Sequence, residues 1–451
     1  MFLIYLLLNN SIQFLSSIML QYLSKDDGQI KMTQVQYFSI AICFLMSVLD
    51  GMDVLVVSYC APAIAEDLNL GPKTLGFVFS AGLIGMAIGA VFLAPFADKF
   101  GRKKLILASA FIMGLSVLLT SLSENILQLI LMRLVSGLGI GCMLATTATL
   151  TSENVLNNSK DFWVSLVISG YPVGAVASGY VAAAIIPSYG WESMFVLAGL
   201  TTLLTIPLIF FFLSESPQFY LKKQPKDALA KANKILIKMN FKPLDSLPKI
   251  GLKANNKPLV SRLFSEKYKI STLQLWAALF FAFGCLYFLI SWIPKLATDA
   301  GLSIELAIYA GTIFNVGAFF GIVLQGYFSS KIGLKKTISF FLLLTFLLMA
   351  SFKLFVGTDI LLLVYFLLGF SLQGGFVGLY AVAARLYPTE FKTTGVGWAI
   401  GMGRVGGILA PLIGGLLISI GLSLSANFFI FSIPALIASG LTYYMSSKEI
   451  T

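Results

Sequence analysis

Residues 94–104 read Ala94-Pro-Phe96-Ala-Asp98-Lys99-Phe-Gly101-Arg102-Lys103-Lys104, and the stretch from Phe96 returns at a constant offset of 232 as Phe328-Ser-Ser-Lys331-Ile-Gly333-Leu-Lys335-Lys336. Phe, Lys, Gly and the closing Lys-Lys recur at the same places. Each copy is a short basic loop between two long apolar runs. A duplicated loop in an apolar chain points to two related helical halves embedded in a membrane.

Working outward from these loops, polar and Gly/Pro punctuation separates apolar spans near 38–65, 74–97, 105–122, 125–148, 162–186 and 193–213, then 272–293, 303–326, 338–357, 360–384, 394–420 and 424–445. Twelve spans of roughly 20 residues occupy about 240 positions. Of 451 residues, 58% are hydrophobic and 11% charged, less than half of the ~25% charge usual in soluble domains. The expected fold is an all-α polytopic membrane protein with twelve transmembrane helices in two six-helix halves. Residues 32–213 form the first half, 214–271 a basic loop, and 272–451 the second half with a short tail. Residues 1–31 begin MFLIYLLLNNSIQFLSSIML, which is uncharged and lacks the basic start of a signal peptide. They read either as an extra hydrophobic segment or as a start assigned upstream of the true one at Met32.

The net charge of +11 comes from 31 Lys and Arg against 20 Asp and Glu. Such an excess suits either a nucleic-acid surface or the inner loops of a membrane protein, and its placement decides. With residues 22–37 on the cytoplasmic side, 26 of the 31 cations lie inside, only Lys73 and Lys295 lie outside, and Arg133, Lys353 and Arg404 fall within spans. The positive-inside rule then places the central loop and the C-terminus in the cytoplasm, as for a protein of the inner membrane that binds no nucleic acid. Segment 214–271 alone contributes +9. Within it Ala228, Ala232, Ile235, Leu236 and Met239 recur at helical spacing, with Lys231, Lys234 and Lys238 on another face. That pattern fits a helix on the inner leaflet or, more commonly, a solvated linker. Histidine is absent, and Cys43, Cys60, Cys142 and Cys285 lie in apolar runs without CxxC spacing. Metal, haem and disulfide readings lose their support, and no cofactor is expected.

The informative charges are those inside spans. Asp50 and Asp53, in Leu49-Asp-Gly-Met-Asp53, stand one helical turn apart in the first span. Each costs about 2.5–3.5 kcal/mol at a helix centre on insertion scales. Burial and mutual repulsion disfavour two charges at once, so such a pair suits reversible proton carriage. Its bland alternative is permanent pairing with buried cations. Arg133 in the fourth span and Arg404 in the eleventh can each hold a carboxylate in a fork. One would pair with the aspartates and the other meet an anionic substrate. Arg404 is the preferred anchor because Arg133 shares a half with both aspartates, although a structural inter-helix pair would explain either arginine. Gly51, Gly137, Gly139, Gly141, Gly170, Gly174, Gly401 and Gly403 allow close helix packing or bending. Among Tyr59, Tyr171, Phe283, Tyr287, Tyr380 and Trp398, all candidates for lining an aromatic cavity, only Tyr380 and Trp398 rise above ordinary packing.

These residues carry a resemblance. The 94–104 loop is similar to the signature loop of the major facilitator superfamily, and Leu129-Ile-Leu-Met-Arg133-Leu-Val-Ser-Gly137-Leu-Gly139 resembles its fourth-span arginine motif. The run at 50–53 and the stretch YAVAARLYPTEFKTTGVGWAIGMGRVGGILAPLIGG at 380–415 resemble the aromatic acid:proton symporter family within it, over roughly residues 36–445. The resemblance implies alternating access, substrate and proton roles for Asp50 and Asp53, and a role in activity for Arg404. It also implies an intracellular latch of Asp98 and Arg102, with Asp98 facing the start of the eleventh span near Gly395 and Glu153 partnering Arg102. Departures are Ala94 for the usual glycine, Ser330 where the first copy has Asp98, Lys392 for arginine, and the missing histidine. Ser214-Glu-Ser-Pro-Gln-Phe219 is similar to the sixth-span exit motif of sugar porters, whose other motifs are lacking here. No GxxxxGK[ST] loop exists to drive an ATP pump. A sensor would need an output domain, which this chain lacks.

The expected function is proton-coupled import of a small organic anion, an aromatic carboxylate, by a monomeric transporter in the bilayer. Arg404 holds the carboxylate with Arg133 as the second cation, Trp398 and Tyr380 flank the ring, and Asp50 and Asp53 carry the proton. The alternatives are a sugar or sugar-acid:proton symporter and a multidrug:proton exporter.

Overall fold

The computed structural model describes residues 32–155, 160–248, 259–387 and 392–445. The expectations placed on 1–31 and on the side chain of Lys392 lie outside the described residues.

The first half contains α1 (Gln34–Asp67), α2 (Pro72–Ile88), α3 (Arg102–Thr120), α4 (Ile126–Asn154), and the long helix Gly170–Phe212. Gly190 breaks that long helix with φ +77°, a value only glycine adopts without strain, so 170–189 is α5 and 191–212 is α6. A separate short helix, Lys160–Ile168, leads into α5. The second half repeats the series as α7 (Lys269–Asp299), α8 (Ile304–Ile332), α9 (Leu334–Ala350), α10 (Leu361–Leu386), α11 (Lys392–Ser419) and α12 (Leu424–Tyr443). Among the described residues, ten helical stretches of 18 residues or more are long and apolar enough to cross a bilayer. Dividing one at Gly190 and adding the 17-residue α9 gives twelve crossing segments. The starts of α4, α8 and α12 coincide with the apolar runs read from sequence because polar side chains cap them there, whereas α4 and α8 continue past the ends of those runs to Asn154 and Ile332. Asn125 accepts from the Gln128 N–H at the start of α4, while Ser303 and Ser423 do the same for α8 and α12.

The duplication has a physical counterpart. Gly101 and Gly333, at equivalent places in the repeated loop, have φ of +102° and +92° and turn the chain from α2 into α3 and from α8 into α9. Within each half the packing also repeats. A Cβ on Gly85 or Gly141 of the α2–α4 pair would lie 2.0–2.2 Å from a backbone oxygen of the other helix, and one on Gly317 or Gly369 of α8–α10 would lie 1.8–2.0 Å from one. Gly51 and Gly174 bring α1 and α5 equally close, and Gly406 does so for α11 on α7. Without a hydrophobic force between helices in lipid, such backbone approach supplies the packing.

The two halves meet firmly at the end opposite the basic loops. Ser58 of α1 donates to the carbonyls of Ile290 and Ser291 in α7, and Ser80 of α2 to that of Ile408 in α11. Phe79 meets Trp292 edge-on at 5.2 Å, and Tyr180 lies 5.8 Å from Tyr309. Gly76 lies against the Pro411 carbonyl.

One expectation changes. Lys353 is not inside a span: α9 ends at Ala350, and Lys353 is exposed on the 3-10 turn Phe352–Leu354, because the apolar run continues past the end of the helix. In the central loop the helix Ala228–Lys238 forms as its periodicity predicts. Its Ala232 and Leu236 are buried within the protein beside the helix Pro217–Lys223, so that part of the apolar stripe serves packing, while Lys231, Lys234 and Lys238 stay on the outer face.

Candidate functional site

Asp50 and Asp53 occupy one face of the middle of α1, both buried, yet their surroundings differ. Arg133 of α4 donates through Nη1 to Asp53 Oδ1 at 2.9 Å and through Nη2 to the Asp53 carbonyl at 3.2 Å. Both side chains are at most 3% exposed. α2 also borders the guanidinium at Gly82, where a Cβ would be in ordinary contact with Nη2 at 3.4 Å. Neither carboxylate oxygen of Asp50 has a hydrogen-bond partner among the described residues. The i, i+3 spacing therefore places two like groups together, and only the fold makes one of them an ion-pair member.

Arg404 sits midway along α11, partly buried, with no hydrogen bond or ion pair among the described residues. An aromatic wall adjoins it. Phe283 and Tyr287, one turn apart on α7, stack at 6.0 Å, and Phe376 of α10 meets Phe283 edge-on at 4.7 Å. Tyr380, a turn further along α10, meets Phe376 at 5.3 Å and Phe283 at 6.5 Å. Glycines flanking the arginine admit these rings: a Cβ at Gly403 would lie 2.4 Å from Phe283, and one at Gly407 2.8 Å from Tyr287. The phenols of Tyr287, Tyr380 and Tyr171 lie within electrostatic range of the guanidinium, and Tyr171 of α5 also lies within range of Asp50. One cation without a counter-ion among the described residues, bordered by ring faces and phenols from both halves, offers a forked donor to an anion and an apolar slot to a planar group.

In the sequence Tyr171, Tyr287 and Phe283 look like packing aromatics; the fold brings them to the surroundings of Arg404. A signal existed in the i, i+4 pairs Phe283/Tyr287 and Phe376/Tyr380 opposite the small residues of α11. Tyr380 belongs to this cluster. Trp398 stacks instead on Trp276 of α7 at 5.8 Å, toward the basic end of α11. At 1.5 Å per residue it is about 9 Å along the helix axis from Arg404. Arg133, also named as a second substrate cation, is the arginine that pairs with an aspartate of its own half, holding Asp53.

At the basic end Arg102 is 2% exposed. It reaches Asp98 Oδ1 at 2.7 Å, Glu153 at 3.1 Å and the Ala97 carbonyl at 3.1 Å, all within the first half. Asp98 therefore turns to Arg102 rather than to the start of α11, and Gly395 packs on the Tyr387 ring. Among the described residues Asp98 makes no hydrogen bond or ion pair with α11. Glu215, missed as a participant, accepts from the backbone N–H groups of Arg102 at 2.8 Å and Lys103 at 3.2 Å, capping α3. Gly101 is required there for space as well as φ, because a Cβ would lie 2.3 Å from Glu215 Oε2. Burial pushes the Glu215 carboxyl up from its ordinary value, and the N–H groups of Ser216, Lys103 and Arg102 oppose this.

The sequence pattern of the Major Facilitator Superfamily matches residues 43–378 and 275–449. A gallate transporter of Pseudomonas putida is 31% identical over 405 residues, covering 90% of each chain. The 4-hydroxybenzoate transporter PcaK of Pseudomonas aeruginosa is 32% identical over 417 residues, or 90% of this chain and 91% of its own. The benzoate transport protein of Acinetobacter baylyi is 29% identical over 93% of this chain and 91% of its own. Among solved structures, a bacterial homologue of the human lysosomal transporter Spinster, inward-facing and unoccupied, superposes with TM-score 0.74 at 16% identity, covering 91% of this chain and 97% of that one. A D-xylose–proton symporter does so with TM-score 0.71 at 16% identity, covering 92% and 98%. With the matched pattern running through both halves and a fold to accompany it, the chain belongs to the major facilitator superfamily and is a membrane transporter, not an enzyme.

Proposed function

We propose that the protein imports an aromatic carboxylate together with protons across the inner membrane, its basic loops and C-terminus in the cytoplasm. The observation that carries this reading is Arg404, a guanidinium without a counter-ion beside the ring wall of Phe283, Tyr287, Phe376 and Tyr380. An arginine inside the hydrocarbon layer is costly unless an anion meets it. A flat ring bearing a carboxylate satisfies the cation and the wall at once. The names of the gallate, 4-hydroxybenzoate and benzoate relatives support the same substrate class.

In this reading the two aspartates divide the proton task. Asp53 stays ionised against Arg133, whereas Asp50, without a partner, takes and releases the proton beside Tyr171. Protonated Asp50 and a carboxylate on Arg404 leave no uncompensated buried charge, which lowers the cost of reorienting the loaded carrier. Trp398 on Trp276 lies at the approach from the basic end, and Asp98, Arg102 and Glu153 form the latch that engages when that end closes. The bundle, sealed at the far end, corresponds to the inward-facing state.

The test is uptake by proteoliposomes of labelled benzoate, 4-hydroxybenzoate, a sugar acid and a sugar, with and without an alkaline interior. Accumulation of the benzoates only under the pH gradient is expected. Gradient-driven sugar accumulation, or export alone, would replace the proposal by a sugar symporter or an exporter.

A further inference from the structure

Ser58 of α1 is 1% exposed and donates across the boundary between halves to the Ile290 carbonyl at 2.6 Å, with the Ser291 carbonyl at 3.0 Å. Ile290 lies four residues before Pro294, inside α7. Proline has no N–H, so this carbonyl has no helical donor and needs one from elsewhere. The hydroxyl of the other half supplies it.

The same side chain lines a small cavity with Val54, Val57, Phe79, Gly82, Arg133, Tyr287 and Ser291, among others, drawn from both halves. Arg133 lines this space, and its Nε has no hydrogen-bond partner among the described residues although the residue is 3% exposed. Ser58 thus closes the far end of the bundle and roofs the chamber beside the Asp53–Arg133 pair. We propose that Ser58 is a positioning residue for transport: its bond to the Pro294-freed carbonyl holds the outer gate shut and keeps the Asp53–Arg133 pair dry. Parting α1 from α7 breaks that bond and admits water to the pair in the same movement. Closure and dehydration of the pair are then one event, which keeps the pair from exchanging with the outside while the site faces inward.

The inference rests on the orientation given under the proposed function, and the experiment separates the two. Val57→Cys, on a background with the four native cysteines replaced, reports opening of the chamber by its labelling rate with a membrane-impermeant maleimide added outside intact cells. Ser58→Ala is expected to raise that rate roughly two- to tenfold, the equilibrium change carried by one net hydrogen bond. Ser58→Thr, which keeps the hydroxyl, restores the slow rate. Pro294→Ala returns an N–H to the Ile290 carbonyl, so it is expected to raise the rate by itself and to shrink the Ser58→Ala effect when the two are combined. Unchanged labelling in Ser58→Ala, or full additivity with Pro294→Ala, overturns the inference. A rate increase seen only in inverted vesicles upholds the bond while overturning the orientation.

Discussion

Replacing Asp53 by Asn should damage the fold, whereas replacing Asp50 by Asn should damage only transport. Asp53 and Arg133 are joined at 2.9 Å with side chains at most 3% exposed, so the Asn variant strands a buried guanidinium. Removing one partner of a buried pair costs about 3–5 kcal/mol. Polar contacts between membrane helices run weaker, averaging ~0.6 kcal/mol with maxima near 1.7. A loss of about 2–3 kcal/mol lies between these limits. Asp50 has no partner to strand, and Asn is nearly isosteric, so its change should stay within about ±0.5 kcal/mol. Thermal unfolding of detergent-purified protein at neutral pH measures the first difference, and proteoliposome uptake under an imposed gradient measures the second. Asp50→Asn should keep wild-type stability and exchange labelled substrate without accumulating it. The double variant Asp53→Asn/Arg133→Gln should recover part of the stability lost by Asp53→Asn alone, giving a coupling energy near 1–2 kcal/mol in a double-mutant cycle. The division of roles between the carboxylates fails if the two Asn variants lose stability equally, or if Asp50→Asn still accumulates substrate against its gradient.

Arg404→Lys replaces a fork by a point donor and should cut benzoate uptake at low concentration at least about tenfold, with Arg404→Gln abolishing it; labelled-substrate kinetics measure both. Gly403→Ala places a methyl 2.4 Å from Phe283 and should cost about 1–3 kcal/mol in thermal unfolding, whereas Gly401→Ala, with nothing within 4 Å, should be neutral or stabilising. The raised Glu215 carboxyl carries a sign that pH-dependent unfolding can read. The folded state holds this proton more tightly than the unfolded chain, so its contribution is full below the ordinary carboxylate value and is lost as pH rises through the folded value. Glu215→Gln, still an acceptor for the Arg102 and Lys103 N–H groups, should remove that decline.

Much of the architecture follows from sequence because a bilayer leaves little choice. Long apolar runs must become helices when no water can satisfy their backbone, and the duplicated loop with its glycine at 101 and again at 333 shows where each half turns. Composition also makes Asp50, Asp53, Arg133 and Arg404 conspicuous, since each is expensive where it lies. Boundaries were less legible. The Gly190 break, the end of α9 before Lys353 and the burial of the 228–238 stripe depend on capping and on neighbours that hydropathy does not contain.

Only the tertiary structure decided which charges meet. Asp50 and Asp53 differ by three positions and share a residue type, so nothing local distinguishes them. Their difference arises because α4 delivers Arg133 to one while α5 presents Tyr171 to the other. The aromatic wall likewise forms because the glycines of α11 let rings of α7 and α10 approach Arg404. Ser58 became visible only when α7 stood opposite with a carbonyl that Pro294 had left without a donor. Sequence alone shows that costly groups are present inside the membrane. What each one pays for is set by distances of about 3 Å between helices far apart in the chain, and those distances exist only once the helices have packed.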